Sequence, residues 1–550
     1  MYTKKYKISA ILVLFMTFML SCQNLEDLNI NPNGVDPANA KPYLLMSTVV
    51  TNAGQQVVGL GFGDIAGVMQ HTQKDGWSGS HNSYDWSDQN WSSYYGTLRD
   101  ADEMLRKAQN LGLDFYEGVG LIMKAFEFGF ITDLWGDAPF TEALHGEDGN
   151  LKPAYDAQRD IYMGILGYLE NANTLLSGSQ SEYEDVNSTQ DVLFSGSVAG
   201  WQKLANSLAL RYYMRISGKE SAIAKTGIEK IAGDQDTYPL ILDAEDDANI
   251  DYIGNSSSDS WPCNTTYDVS ETSYRRLKMC STLVEKLQAL NDPRIAVWAN
   301  KVAIPIVIDG AKPDGYDKIE GGNRVIAQNV ANNYQTTYGV PLDTDPEYVG
   351  LPPAWSMVPQ AYNLNPNLEQ APLNPHVSHL NSMYKGASGD LLKARLISAA
   401  EINFILAEAA FKGWSVGGTA ANYYNAGVKA SLTAWGLKNK YDTYIAQAGV
   451  AYNGTLARIM EQKWIASWTS AAEAWFDYRR TGLPALSPGT VVKRAAIPIR
   501  FLYGTNELLY NPDKAAAAIQ NLETTTYSST DGKNSPWSRM WVIQGTGKPW

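Results

Sequence analysis

Residues 94–130 read YYGTLRDADEMLRKAQNLGLDFYEGVGLIMKAFEFGF, and this stretch decides the fold. Leu98, Ala101, Met104, Leu105 and Ala108 recur at intervals of three and four, which places them on one face of an α-helix. Val119, Ile122, Met123, Phe126 and Phe130 repeat the pattern. Gly112, followed by Asp114, ends the first run and opens the second. The stretch predicts a helical hairpin.

Working outward, a second pair is expected over Leu391–Trp435. Leu396, Ala400, Phe404, Ala407 and Ala410 form one face, residues 413–419 a turn, and Tyr423, Gly427, Ala430 and Trp435 a second helix. Small alanines at such a seam let helices approach closely. Further helices are expected over Ile161–Leu176, Trp201–Ile216 and Ile459–Tyr478. The fold class is mainly α, a tetratricopeptide-like scaffold of helical hairpins, although no strict repeat of 34 residues runs through it. Long irregular insertions interrupt the scaffold around 251–272 and 304–389, the second with Pro352, Pro353, Pro359, Pro366, Pro372 and Pro375. Loops of that length are usually functional or carry small structure of their own.

The N-terminus sets the compartment. Lys4, Lys5 and Lys7 precede an apolar run from Ile8 to Leu20, too short for the ~20 residues of a spanning helix. Ser21 and Cys22 follow, in the order of a signal peptide with a lipobox, Met19-Leu20-Ser21-Cys22. The expectation is a signal peptide over 1–21, a lipidated tether over 22–40 anchored through the Cys22 thiol, and one domain over 41–550. The mature chain would be held on a membrane by the lipid, each buried CH2 contributing about 0.8 kcal/mol. The formal net charge of −14 excludes the basic surface of a nucleic-acid binder. In an extracytoplasmic setting Cys263 and Cys280 either pair as a disulfide or remain two buried thiols.

No catalytic constellation stands out. Gly413-Trp414-Ser415-Val416-Gly417 spells a nucleophile elbow, but a helix precedes it where a strand is required. His376 and His379 lack a third ligand, so no metal is expected there. The acidic run Asp243, Glu245, Asp246, Asp247, Asp251 lacks the glycine and terminal glutamate of a calcium loop. Calcium is therefore unsupported, and no cofactor is expected beyond the covalent lipid. What does stand out is 16 Trp and 32 Tyr against 13 Phe, an excess of rings with both an apolar face and a hydrogen-bonding edge. Trp77, Tyr84 and Trp86, in a polar loop, are candidate platforms for stacking a sugar. The alternative is that they cap the helix beginning near Trp91, and for Trp91, Tyr94 and Tyr95 core packing is expected.

An ordered set of motifs then carries a resemblance. It comprises Asn29-Ile30-Asn31-Pro32-Asn33, Leu134-Trp135-Gly136-Asp137-Ala138-Pro139-Phe140, Tyr155-Asp156-Ala157-Gln158, the helix from Trp201 to Ser217, residues 401–410, residues 473–482, and Arg500-Phe501-Leu502-Tyr503. Over nearly the whole chain these resemble the SusD/RagB family of Bacteroidetes outer-membrane lipoproteins, with Gly504 where proline would be usual. The resemblance implies a tetratricopeptide-like body seated on a SusC-like TonB-dependent barrel. It also implies capture of an oligosaccharide or peptide and, through Glu26 and Asp27, export to the cell exterior. It implies a binding protein, not an enzyme, with buried scaffold roles for Trp135, Trp475, Tyr478 and Arg479. The rival reading is an accessory subunit docked on such a barrel in an outer-membrane assembly or export machine.

Overall fold

The computed structural model describes residues 40–74, 79–354, 359–366, 373–489 and 491–550. The signal segment, Cys22, Glu26, Asp27, the 29–33 motif and Trp77 lie outside them. No helix among the described residues is long and apolar enough to cross a membrane.

The chain opens with α1 (Tyr43–Gly61) and the short strand β1 (Thr72–Lys74). The deciding stretch follows as α2 (Ser92–Leu111) and α3 (Asp114–Trp135). Gly112 ends α2 in the left-handed region, φ +67°, where a side chain would be strained. α4 (Gln158–Leu175), α5 (Val198–Ile216) and α6 (Ser221–Gly233) stack on in sequence, each against the one before. α5 crosses α3 where a Cβ on Gly129 would stand 2.0 Å from the Tyr212 hydroxyl, so only glycine permits the approach.

Strands β2 (Ala248–Asp251) and β3 (Leu277–Met279) and helix α7 (Ser281–Ala289) lead into the large insertion. The insertion carries its own structure, a sheet of β4 (Ile306–Ile308), β5 (Asp317–Glu320) and β6 (Asn323–Ile326) followed by α8 (Gln328–Tyr338). In that sheet β6 is central, parallel to β4 and antiparallel to β5. Ile306, Ile326, Ala331, Tyr334 and Leu342 form a small core within it, and Val302, Val349, Leu351, Tyr362 and Val377 another.

The chain returns through β7 (Lys393–Ile397), antiparallel to β2, to α9 (Ala399–Phe411) and α10 (Ala420–Ala434). It continues through α11 (Leu456–Ala466) and α12 (Ala471–Thr481). β1 pairs antiparallel with β3, Thr72 opposite Met279.

Two expectations are corrected. Leu396 lies on β7, not on the helix that follows. Ser398 caps α9 by accepting from the Glu401 N–H, and pairing with β2 makes the preceding residues a strand. Ile459–Tyr478 is two helices, broken at Ser467–Ser470, where the Ser467 hydroxyl bonds back to the Lys463 carbonyl and Thr469 takes φ +70°. The apolar spacing runs on across this break, so periodicity alone conceals it.

The scaffold core buries charge in pairs. Arg211 on α5 makes two bonds of 2.7 Å to Glu401 on α9. Arg215 reaches Glu473 on α12 at 2.6 Å and Asp133 on α3 at 3.2 Å. Lys463 on α11 meets Asp477 at 2.7 Å, and Arg480 meets Asp477 at 2.9 Å and Glu408 at 2.6 Å. Burial alone would raise the Asp477 carboxyl, but Lys463, Arg480 and Arg215 outweigh it and hold it well below the usual carboxylate range. Such pairs add little net stability but fix which helix faces which, because a mismatch would strand a buried charge.

The 473–482 and 500–503 motifs thus have scaffold roles. Trp135, Trp475 and Tyr478 are buried. Arg479 donates to the Asp133 and Ile499 carbonyls at 2.6 and 3.0 Å, and burial draws its guanidinium down to about 10 against the pull of Asp133. The 134–140 and 500–503 motifs meet in space, Phe501 N–H donating to the Leu134 carbonyl and the Trp135 indole to the Leu502 carbonyl.

Candidate functional site

Of the aromatic platforms expected from sequence, Tyr84 and Trp86 are not surface rings, and Trp77 lies outside the described residues. Tyr84 is 0% and Trp86 3% exposed. Trp86 donates to the Ser80 carbonyl and stands edge-on to Trp475 and Phe501 at 5.4 and 5.1 Å. Its polar neighbours in sequence suggested a loop surface, but the scaffold motifs around residues 475 and 501 close over it. Trp91 and Tyr94 are core residues, as expected.

Cys263 and Cys280 are free, buried thiols rather than a disulfide. Cys263 Sγ faces the Tyr384 carbonyl and Cys280 Sγ the Thr282 hydroxyl, and burial pushes both thiols up to about 12. His376 bonds through Nδ1 to the Ile304 carbonyl and through Nε2 to Arg324. In the acidic run, Asp246 pairs with Lys203, Asp251 pairs with Lys393, and Asp247 accepts from the Ala399 N–H. Ser415 sits in a turn, its N–H donating to Glu229.

The strongest candidate is the junction between the insertion and the body. The insertion docks on β3 and α7 through its own backbone: Ser281 N–H donates to the Leu351 carbonyl at 2.7 Å, and Leu351 N–H to the Met279 carbonyl at 2.9 Å. The contact is so close that a Cβ on Gly350 would lie 2.5 Å from Ser281. Beside this seam opens a cleft of about 580 Å³, within the ~300–1,000 Å³ of small-molecule sites. The body contributes Ser281 and Glu285, one turn apart on α7. The insertion contributes Asp343, Thr344 and Asp345, and the apolar walls are Pro341, Pro352 and Tyr362.

The acidic wall is held from behind. Asn363 Oδ1 accepts from the Asp343 N–H at 2.9 Å while its amide donates to the Asp343 carbonyl at 3.0 Å and the His376 carbonyl at 2.9 Å. The Tyr334 hydroxyl accepts from the Asn363 N–H at 2.8 Å. Asp345 in turn accepts from the Glu347 and Tyr348 N–H groups. Burial raises the Glu285 carboxyl and the Asp343 charge raises it further; burial also raises Asp343, against the hydrogen bond its carboxylate accepts from the Asp345 N–H at 3.0 Å. Carboxylates gathered on one cleft call for hydrogen-bond donors from a ligand, and the proline rings offer C–H surface beside them. Paired hydroxyls on an apolar ring, the surface of a sugar, meet both demands.

The prolines and length of the insertion mark it in the sequence, but of the cleft residues only Pro352 stands among them. Glu285 lies on an ordinary amphipathic helix and Asp343 in a short acidic stretch, and only the docking through Leu351 brings them together. The one local signal was the Asp-rich turn after α8.

Residues 38–342 and 347–504 match a family profile, SusD-like, described as "Starch-binding associating with outer membrane". No curated protein matches the chain. Among solved structures, a SusD homologue from Bacteroides fragilis aligns with TM-score 0.70 at 20% identity, covering 92% of this chain and 100% of its own. One from Bacteroides uniformis gives 0.66 at 22%, covering 91% and 99%. A chitin-binding SusD homologue from Flavobacterium johnsoniae gives 0.66 at 20%, also covering 91% and 99%. At these identities the likeness is one of fold.

Proposed function

The chain belongs to the SusD-like family, and we propose that it is a cell-surface lipoprotein that captures glycan chains and hands them to a SusC-like TonB-dependent barrel. It is a binding protein, not an enzyme, of an outer-membrane-associated family. The observation that carries the glycan reading is the junction cleft. The carboxylates of Glu285, Asp343 and Asp345 and the hydroxyls of Ser281 and Thr344 line, with proline and tyrosine surface, a space of sugar dimensions, and Asn363 fixes the Asp343 backbone behind it. The anchor is the lipid on Cys22, which the basic and apolar run ahead of it presents for modification.

Binding is tested by titrating the purified protein with maltooligosaccharides and chitin oligosaccharides, and by retention in native gels containing soluble starch or glycol chitin. Saturable binding, weakened about tenfold or more in Glu285→Gln and Asp343→Asn, is the expected result, in line with the loss of charge-assisted bonds. Wild-type affinity in both variants would remove the cleft from the account. Labelling with a palmitate analogue in the native host, lost in Cys22→Ser, tests the anchor. Purification from native membranes tests the partner: a lone TonB-dependent barrel supports import, and barrel-assembly components would overturn it.

A further inference from the structure

The motifs at 134–140 and 155–158 also build a second cleft, far from the junction in sequence and sharing no lining residue with it. Asp156 accepts from the Phe140 N–H, the Thr141 N–H and the Thr141 hydroxyl at 2.9, 2.9 and 2.8 Å, while Ala138 and Asp156 bridge through their backbones. Glu142 accepts from the Ala154 N–H at 2.8 Å, and the Asn150 N–H reaches the His145 carbonyl at 3.1 Å. The loop is thereby closed on itself, with Leu144 held at φ +69°, a conformation a leucine adopts only when its surroundings impose it. Gly164 on α4 leaves the seat for Phe140, since a Cβ there would lie 2.4 Å from the ring.

Between this loop and α2, α3 and α4 lies a space of about 520 Å³. Its floor is aromatic. Phe140 stands edge-on to Phe128 at 4.7 Å and tilted against Tyr168 at 5.7 Å, and the Lys124 ammonium lies 5.6 Å from the Tyr168 ring centre. Its rim is polar: Asp102 holds Lys124 at 2.5 Å and Arg106 at 3.2 Å, and His145 Nδ1 meets Asp148 at 3.0 Å. Fixed rings below and hydrogen-bonding groups of both signs at the edge suit a sugar ring, whose C–H face stacks while its hydroxyls reach the rim.

We infer that this cleft is a second carbohydrate contact, which grips a long glycan at a point separate from the junction cleft; the inference rests on the glycan-binding reading. Two contacts on a polymer that repeats itself raise affinity for long chains without changing affinity for short ones at either site.

The test uses Tyr168→Leu, which keeps bulk but removes the ring, and His145→Ala, an exposed position whose loss leaves the fold intact. Retention by soluble starch and glycol chitin is compared with titration by the corresponding trisaccharides at the junction cleft. The expected result is a drop of roughly tenfold or more in retention on the polymer for both variants, with trisaccharide binding unchanged. Polymer retention equal to wild type in both variants overturns the second contact while leaving the functional reading in place. Absence of binding to either polymer by the wild-type protein overturns both.

Discussion

The helical scaffold and the 304–389 insertion are stabilised by different means. The scaffold stacks amphipathic helices and locks their register with buried ion pairs, Arg211 to Glu401, Arg215 to Glu473, and Asp477 between Lys463 and Arg480. The insertion has short strands, small apolar clusters, and side chains such as Asn363 that bond to backbone. The scaffold therefore resists change as one unit, whereas the insertion holds local shapes, and the junction cleft has one wall from each. A recognition surface built this way can vary without disturbing the body.

Breaking a scaffold pair is the largest perturbation. Glu401→Ala removes the two-bond partner of the 2%-exposed Arg211 side chain, leaving it the Leu396 carbonyl and the longer 3.5 Å contact to Glu473, and is expected to cost about 3 kcal/mol in urea unfolding of the whole chain. A loss under 1 kcal/mol would mean that Arg211 finds another partner. Trp86→Ala should be of similar size, about 3–5 kcal/mol, because the ring is core; at temperatures where the variant remains folded, glycan affinity should be unchanged. A drop in affinity with normal stability would restore Trp86 as a platform.

Asn363→Ala belongs to the other region. It should cost about 1–2 kcal/mol locally, seen as faster amide exchange over 340–348, with the global unfolding midpoint moving far less. A global shift equal to the local one would show that insertion and scaffold unfold together.

Acid sharpens the comparison most gently. His71 in the scaffold and His379 at the end of the insertion are both drawn by burial from 6.5 to about 3, with Lys278 adding to the effect at His379. Between those values the unfolded chain binds more protons than the folded one. Stability is therefore full above pH 6.5 and is lost as pH falls toward 3, each histidine contributing under about 1 kcal/mol between pH 7 and pH 6. His71→Gln should flatten the pH dependence of global unfolding, and His379→Gln that of exchange over 374–381 alone.

The same contrast governs what the sequence discloses. The Tyr94–Phe130 hairpin is plain because each helix buries one face, so the three-and-four spacing is written into the residues. Leu396 misleads because its strand is made by pairing with β2, a partner well over a hundred residues away. The aromatic excess signals buried rings as well as surface ones. Trp86 is drawn inward by the 473–482 and 500–503 motifs, whose proximity no local pattern announces. Asp343 and Glu285 become a site only through the Leu351 docking, a tertiary event with no sequence period.

The most direct test of the account is hydrogen–deuterium exchange of the purified protein with and without saturating maltooligosaccharide or chitin oligosaccharide, whichever binds. New protection is expected over 281–289 and 340–352, the two walls of the junction cleft, with the α9–α12 scaffold unchanged. Protection confined to the scaffold, or none at a saturating concentration, would contradict it.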